Sequence, residues 1–265
     1  MYWQKRFNRE DRDKEIADAI LEIRHKHKDY GYRRIWMLLR KQFPTINKKK
    51  VQRIVQKLSL QVKSYGRKGG KLNTYKGNVG KVAPNRIHRR FTTSVPHQKI
   101  TTDTTEFKYF ARDSKGDLKT MKVYLNPFLD MYNREIISYS ISTHLTAKSV
   151  MDALEAAVKV TSDCRFRRTF HSDQGWAYQM NDYRKVLKEN RIFQSMSRKG
   201  NCHDNAVMES FFGVMKQEMY YGHVYNSYEE LKAAIERFIE YYNKERIKGG
   251  LGGKSPVEFR ESEAA

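Results

Sequence analysis

The sequence predicts a mixed α/β domain in its second half, preceded by a small all-α bundle. Two observations place the boundary. Apolar residues recur at helical spacing in three short segments before residue 60, whereas threonine-rich and β-branched runs begin after residue 97. The charge divides at the same point: residues 1–96 hold 26 Lys and Arg against 7 Asp and Glu, residues 97–265 hold 26 against 23.

In the bundle, Glu10–His27 reads as a helix with Ile16, Ala19, Ile20 and Ile23 on one face. Gly31 breaks it, and Tyr32–Gln42 forms a second with Ile35, Leu38 and Leu39 inward. Pro44 ends that element, and Asn47 is an N-cap for a third helix burying Val51, Ile54, Val55 and Leu58. Lys48, Lys49, Lys50 and Arg53 lie elsewhere on its surface, with Arg33 and Arg34 on the helix before. Three short helices, the last with a basic N-terminal half, suit a helix-turn-helix reader of DNA. From Tyr30 to Pro96 there are 18 basic residues and no acidic one, so this stretch must face a polyanion or repel itself. The expected organisation is a helix-turn-helix domain over 1–63, a basic Gly-rich linker over 64–96 and a catalytic core over 97–265 with a helical C-terminal extension. Within the linker, Ile87–Phe91 has the composition to dock on the next domain.

From Lys99 the elements run strand (Lys99–Tyr109), strand (Lys119–Asp130), strand (Glu135–Thr143), helix (Thr146–Thr161), strand (Arg168–Ser172), helix (around Asp182–Asn190), strand (Ile192–Met196), then helices over Asn205–Tyr220 and Tyr228–Asn243. That is the order of an RNase H-like core. The net charge of +22 points to nucleic acid. Two cysteines exclude a disulfide scaffold, no apolar run reaches membrane-spanning length, and a soluble, intracellular setting is expected. No Walker-type loop and no zinc-ligand spacing occurs.

Three carboxylates stand out. Asp103 interrupts a β-branched strand where desolvating a charge is costly, Asp173 follows the fourth strand, and Glu209 lies on the late helix. Read singly, Asp173 is equally a turn former and Glu209 a solvated charge. Together they offer the oxygen ligands that Mg²⁺ prefers, enough for two ions in an in-line displacement at phosphorus. Asn205, Glu209, Gly213 and Lys216 share one helical stripe, with Gly213 leaving room for a DNA strand. His171, two before Asp173, either orients a metal-bound water or fills the sheet.

Several runs resemble one known family. Thr102-Asp103-Thr104-Thr105, Phe170-His171-Ser172-Asp173-Gln174-Gly175 with Tyr178, and Asn201-Cys202-His203-Asp204-Asn205-Ala206 leading to Glu209 and Lys216 resemble the three acidic blocks of bacterial insertion-sequence transposases with a retroviral-integrase-type core. Tyr242-Asn243, Arg246 and Ser255-Pro256-Val257-Glu258-Phe259 are similar to their C-terminal signature, and Gly31–Ile35 with Asn47–Val51 to their helix-turn-helix. The match is to the second-frame protein of the IS-three group, near its IS-one-fifty branch. The resemblance implies a DDE recombinase in a bacterial cytoplasmic, nucleoid-associated setting: Asp103, Asp173 and Glu209 as catalytic metal ligands, Mg²⁺ with Mn²⁺ as substitute, and Lys216 against DNA, with Asn205 on the same helical stripe expected to face DNA beside it. It also implies double-stranded partners (terminal inverted repeats and target), a homo-oligomer on DNA, and an upstream-frame protein as further partner. A catalytically silent DNA-binding regulator and an RNase H-type nuclease on RNA–DNA hybrids are the competing readings.

Overall fold

The computed structural model describes residues 13–63, 81–112, 116–198 and 202–264. The expected helix start at Glu10 and the Gly-rich stretch 64–80 lie outside them. The chain forms two compact units, Met1–Tyr65 with Ile247–Lys254, and Gly66–Arg246 with Ser255–Ala265.

The first unit contains α1 (Lys14–Lys26), α2 (Tyr32–Gln42) and α3 (Lys48–Lys57). Their apolar stripes meet, burying Ile16, Ile20, Ile35, Leu39, Val51, Ile54 and Val55. Asn47 caps α3 as its sequence predicts, its side-chain oxygen accepting the Lys49 amide at 2.8 Å. Residues 247–254, expected with the catalytic half, group here instead. The Ile247 amide donates to the buried Tyr30 hydroxyl at 3.2 Å, and a Cβ on Gly249 would come within 3.2 Å of the Met37 methyl. A side chain at 249 would press on Met37, so glycine lets the segment approach.

The second unit is built on a six-stranded sheet. The first expected strand is two pieces, β1 (Lys99–Thr102) and β2 (Thr105–Arg112), both paired antiparallel with one edge of β3 (Leu118–Asp130). Continuing the register on either side sets Asp103 opposite Pro127, which has no N–H to give a neighbour, and the ladder lapses there. β4 (Ile136–Ser142) pairs with the other edge of β3. β5 (Thr169–Ser172) and β6 (Phe193–Met196) extend the sheet in parallel from β1.

Helices cover both faces. α4 (Ala147–Val160), the short α5 (Trp176–Gln179) and α6 (Asn181–Glu189) pack on Ile100, Phe128 and Phe170. On the opposite face, Phe107, Val123 and Leu125 meet α7 (Ala206–Met215) and α8 (Tyr228–Lys244); α9 (Pro256–Ala264) closes the chain. The helix expected over Asn205–Tyr220 changes its winding after α7: Lys216–Tyr220 is a π-helical turn, a local irregularity that often accompanies functional sites. It lies along the free edge of β2, where the Tyr220 hydroxyl takes the Lys108 amide at 3.0 Å and the Tyr225 carbonyl takes the Phe110 amide at 2.8 Å.

Residues 81–96 are not free linker in this unit. Ile87 is buried, the Arg86 amide donates to Ser195 Oγ at 2.9 Å, and the segment runs past the outer strand β6. The docking expected of Ile87–Phe91 is therefore seen, and an exposed sheet edge is covered.

The π turn is pinned by a two-pronged ion pair. Arg246 Nε and Nη2 donate to Glu218 at 2.7 and 2.6 Å, with only 4% and 10% of the two side chains exposed. Removing one member leaves a buried charge alone. Arg246→Ala should therefore destabilise the fold by about 3–5 kcal/mol, read as a lowered urea midpoint; a midpoint within about 0.5 kcal/mol of wild type would show that the pair adds nothing.

Candidate active site

Asp103 and Asp173 come together because β1 and β5 are parallel neighbours. Thr101 pairs with His171, and each aspartate lies two residues further on. Each carboxylate is fixed by one local amide: Thr104 N–H donates to Asp103 Oδ1 at 2.8 Å, and Gly175 N–H to Asp173 Oδ1 at 2.8 Å. A Cβ on Gly175 would sit 2.9 Å from Asp173 Oδ1 and 3.3 Å from the Tyr178 ring, so only glycine fits there. Beside them Thr104 Oγ1 donates to Asn126 Oδ1 at 2.7 Å, and the Tyr178 hydroxyl lies 3.4 Å from Thr104 Oγ1.

Burial raises the Asp103 carboxyl well above its ordinary value, and the negative charges of Asp173 and Glu209 push it further. The Thr104 amide and Lys216 act the other way. Burial also raises Asp173, against the pull of the Gly175 amide. Lys216, half-buried at the start of the π turn, has its ammonium 5.4 Å from the Phe107 ring centre. Burial lowers its pKa, while Glu106 and Asp103 hold it up.

Glu209 is exposed on α7, one turn beyond Asn205. Among the described residues no three His, Cys, Asp or Glu side chains are gathered closely enough to hold one metal ion. The donor set is nonetheless right for a hard divalent cation: oxygen ligands only, with two raised carboxyls.

The start of α7 is tied to both aspartate strands. Thr101 Oγ1 donates to Asn205 Oδ1 at 2.7 Å, and Asn205 Nδ2 donates to the Thr102 carbonyl at 3.2 Å. His171, fully buried, contacts Ser195 Oγ at 2.9 Å through Nδ1 and the Asp204 carbonyl at 2.8 Å through Nε2. Burial lowers its pKa, and with both ring nitrogens engaged inside the fold it serves as an internal strut. Asn205, expected against DNA, turns its side-chain amide inward in this structure, to Thr101 and Thr102. The space over Gly213 is open: a Cβ there would meet nothing within 4 Å beyond its own helix.

Sequence reasoning overlooked Asp204. Its side chain is fully buried and receives Arg198 Nε at 2.9 Å, Arg89 Nε at 3.0 Å and Asn85 Nδ2 at 3.2 Å. The hydrogen bonds from Arg198 hold its carboxyl well below the usual carboxylate range, with Arg89 adding to them. The available signal was an acid beside Asn205, with an Arg-rich strap elsewhere in the chain to pair with it.

In the helical unit, Lys50 Nζ and Arg53 Nη2 pair with Asp13 at 2.8 and 2.5 Å. Lys48 sits 5.9 Å over the Trp36 ring, and Lys49 is exposed. Arg33 Nε donates to the Tyr32 hydroxyl at 3.3 Å, and Arg34 packs 5.3 Å over Tyr30. Of the basic residues expected on DNA from α3, Lys48 and Lys49 are those without an ion pair among the described residues.

Comparison with known proteins is decisive for the family. An integrase core domain model matches residues 94–202, a second integrase core model 209–263, and an HTH-like domain model 10–68. The chain is 40% identical to putative transposase InsK for insertion sequence element IS150 of Escherichia coli strain K12, over 98% of this chain and 87% of that protein. The chain belongs to the IS3 family of insertion-sequence transposases. It is also 33% identical to transposase InsF for insertion sequence IS3A of E. coli, over 89% of this chain and 78% of that one. Among solved structures, the HTLV-2 integrase catalytic core domain in complex with magnesium matches 62% of this chain and 97% of its own, at 16% identity and a TM-score of 0.46. The transposase is thus a polynucleotidyl transferase of the DDE class, with an RNase H-like core and a helix-turn-helix-like domain. No helix among the described residues is long and apolar enough to cross a membrane.

The raised carboxyls make a sign prediction. A group whose folded pKa exceeds its unfolded value, about 3.9 for Asp, gives stability below that value and loses it as pH rises through the folded one. At pH 7–8 without divalent cation, Asp103→Asn, which keeps the Oδ1 acceptor, should melt at or above wild type. Added Mg²⁺ should raise the melting temperature of wild type and not of the variant. A variant that melts lower in chelator yet responds fully to Mg²⁺ would place the cation elsewhere.

Proposed function

We propose that this transposase cuts and joins DNA at the ends of its insertion sequence, with Asp103, Asp173 and Glu209 as its metal-binding carboxylates. The observation that carries the reading is the pair of half-buried carboxyls at the ends of β1 and β5, that of Asp103 raised by the charge of Asp173, in a chain with an integrase core.

Asp103 and Asp173 would hold a divalent ion between the two strand ends, with Glu209 reaching in from α7. Bound there, Mg²⁺ supplies Lewis-acid activation of the attacking oxygen and stabilisation of the leaving one. The chain's own groups do the rest. Lys216 presents its ammonium beside Asp103, where it can take a phosphate oxygen of the strand being cut. Open space above Gly213 lets the backbone of that strand lie on α7. Asn205 and His171 keep α7 and the two strands in register through the reaction. An oxygen of water forms the new bond to phosphorus, the bond to the strand's 3′ oxygen breaks, and that oxygen leaves as a free hydroxyl once protonated from solvent. In joining, this hydroxyl replaces water: its oxygen bonds to a target phosphorus and gives up its proton to solvent, while the bond from that phosphorus to the target's own 3′ oxygen breaks and that oxygen leaves, protonated from solvent. The helix-turn-helix unit holds the terminal repeats, with Lys48 and Lys49 on α3 at the phosphates or base edges.

A labelled duplex carrying the element's terminal repeat, incubated with Mg²⁺, tests the reading. Wild type should nick and join it, and Asp173→Asn or Glu209→Gln should lose the order of 10³-fold or more in rate, several kcal/mol of transition-state stabilisation, while still binding. Equal binding with no nicking by any protein would make the chain a DNA-binding regulator. Cleavage of RNA–DNA hybrids without need of the repeat would make it a nuclease.

A further inference from the structure

The outer edge of the sheet carries a cluster of positive charge that the carboxylate site does not use. Phe193, the first residue of β6, has two guanidinium groups over its ring: Arg167 at 3.6 Å and Arg86 at 4.3 Å from the ring centre. The two cations are thus held within about 8 Å of each other. Both are exposed, and neither has a carboxylate partner among the described residues. Arg90 folds back on the same strap, its Nη2 3.4 Å from the Arg86 carbonyl, and Lys99 Nζ reaches the Arg90 carbonyl at 3.2 Å. The Arg165-Phe166 pair preceding Arg167 is exposed, Phe166 by 59%. The nearby acid Asp204 is already saturated by Arg89, Arg198 and Asn85, and Asp163 is paired with His97.

Cations gathered on an aromatic ring without a counter-charge are a site waiting for an anion. Consecutive phosphates on one DNA strand rise only about 3.4 Å, so two guanidiniums this close reach phosphates of one backbone. The cluster sits on a strap, a loop and a strand start, with no helix free to enter a groove, so it reads backbone and not base edges. It also lies at the entering end of β5 and β6, whereas Asp173 follows the leaving end of β5. Four strand residues separate the two, roughly 13 Å.

We propose that Arg86 and Arg167, clamped on Phe193, form a sequence-independent binding site for the phosphate backbone of duplex DNA away from the reacting phosphodiester. The inference rests on the reading that this transposase works on DNA, and deepens it. It also moves part of the DNA-holding charge from the helical unit to the catalytic one.

The test uses the full chain with both arginines neutralised, Arg86→Gln/Arg167→Gln. Affinity for a random-sequence duplex is followed over a salt series, beside nicking of the terminal repeat at saturating protein. The slope of log K against log salt should fall by about 1.8, with roughly 10- to 100-fold weaker binding near 0.1 M salt. Nicking at saturation should match wild type. Arg86→Lys/Arg167→Lys should restore the slope, since charge is kept. If the double variant does not fold, each single Gln variant should lower the slope by about 0.9. A slope and affinity equal to wild type's, in a protein that still nicks, would overturn the site. Failure of wild type itself to nick would instead count against the catalytic reading.

Discussion

The catalytic unit is organised around an electrostatic conflict. Two aspartates end up side by side because parallel strands β1 and β5 are in register, and burial makes both of them hard to ionise. A fold that merely sought stability would replace one of them. Keeping both forces the surroundings to supply the order that the carboxylates undermine: a strand that breaks opposite Pro127, a glycine at 175 that leaves the carboxylate its room, and amides aimed at one oxygen of each.

Beneath the carboxylates lies a layer of neutral hydrogen bonds that makes the conflict tolerable. Asn205 joins α7 to Thr101 and Thr102, and His171 joins β5 to Ser195 and the Asp204 backbone. Asp204 then carries the tie outward to the strap through Arg89 and Asn85. Position is thus passed from the surface to the two aspartate strands through hydrogen bonds inside the fold. Further along, Arg246 and Glu218 fix the π turn that begins at Lys216, so the ammonium beside Asp103 is held from the opposite side.

The sequence was most legible where one physical signal dominated. Helical periodicity located α1 to α3 and their buried faces, and Asn47 announced its cap. The strand and helix order of the core followed from β-branched runs. Asp103 betrayed itself by sitting in such a run. The charge boundary at residue 96 says nothing about what a segment packs on; it was the apolar Ile87 within the basic run that pointed to the strap docking on the catalytic unit. Asn205 is a related case. A helical wheel assigns a residue to a stripe, yet the residue that opens a helix can turn its amide inward to a neighbouring strand, and no spacing rule reveals that. The role of Asp204 was hard to read because its partners, at 85, 89 and 198, are brought together only by the fold.

The central claim is that Asp103 and Asp173 are held ready for a cation at a cost in protonation free energy. Carboxyl-carbon NMR of the two side chains through a pH titration, with and without Mg²⁺, measures it directly. The account predicts that both titrate above the ordinary aspartate value in chelator, and that Mg²⁺ lowers both. Ordinary values that Mg²⁺ leaves unchanged would contradict it.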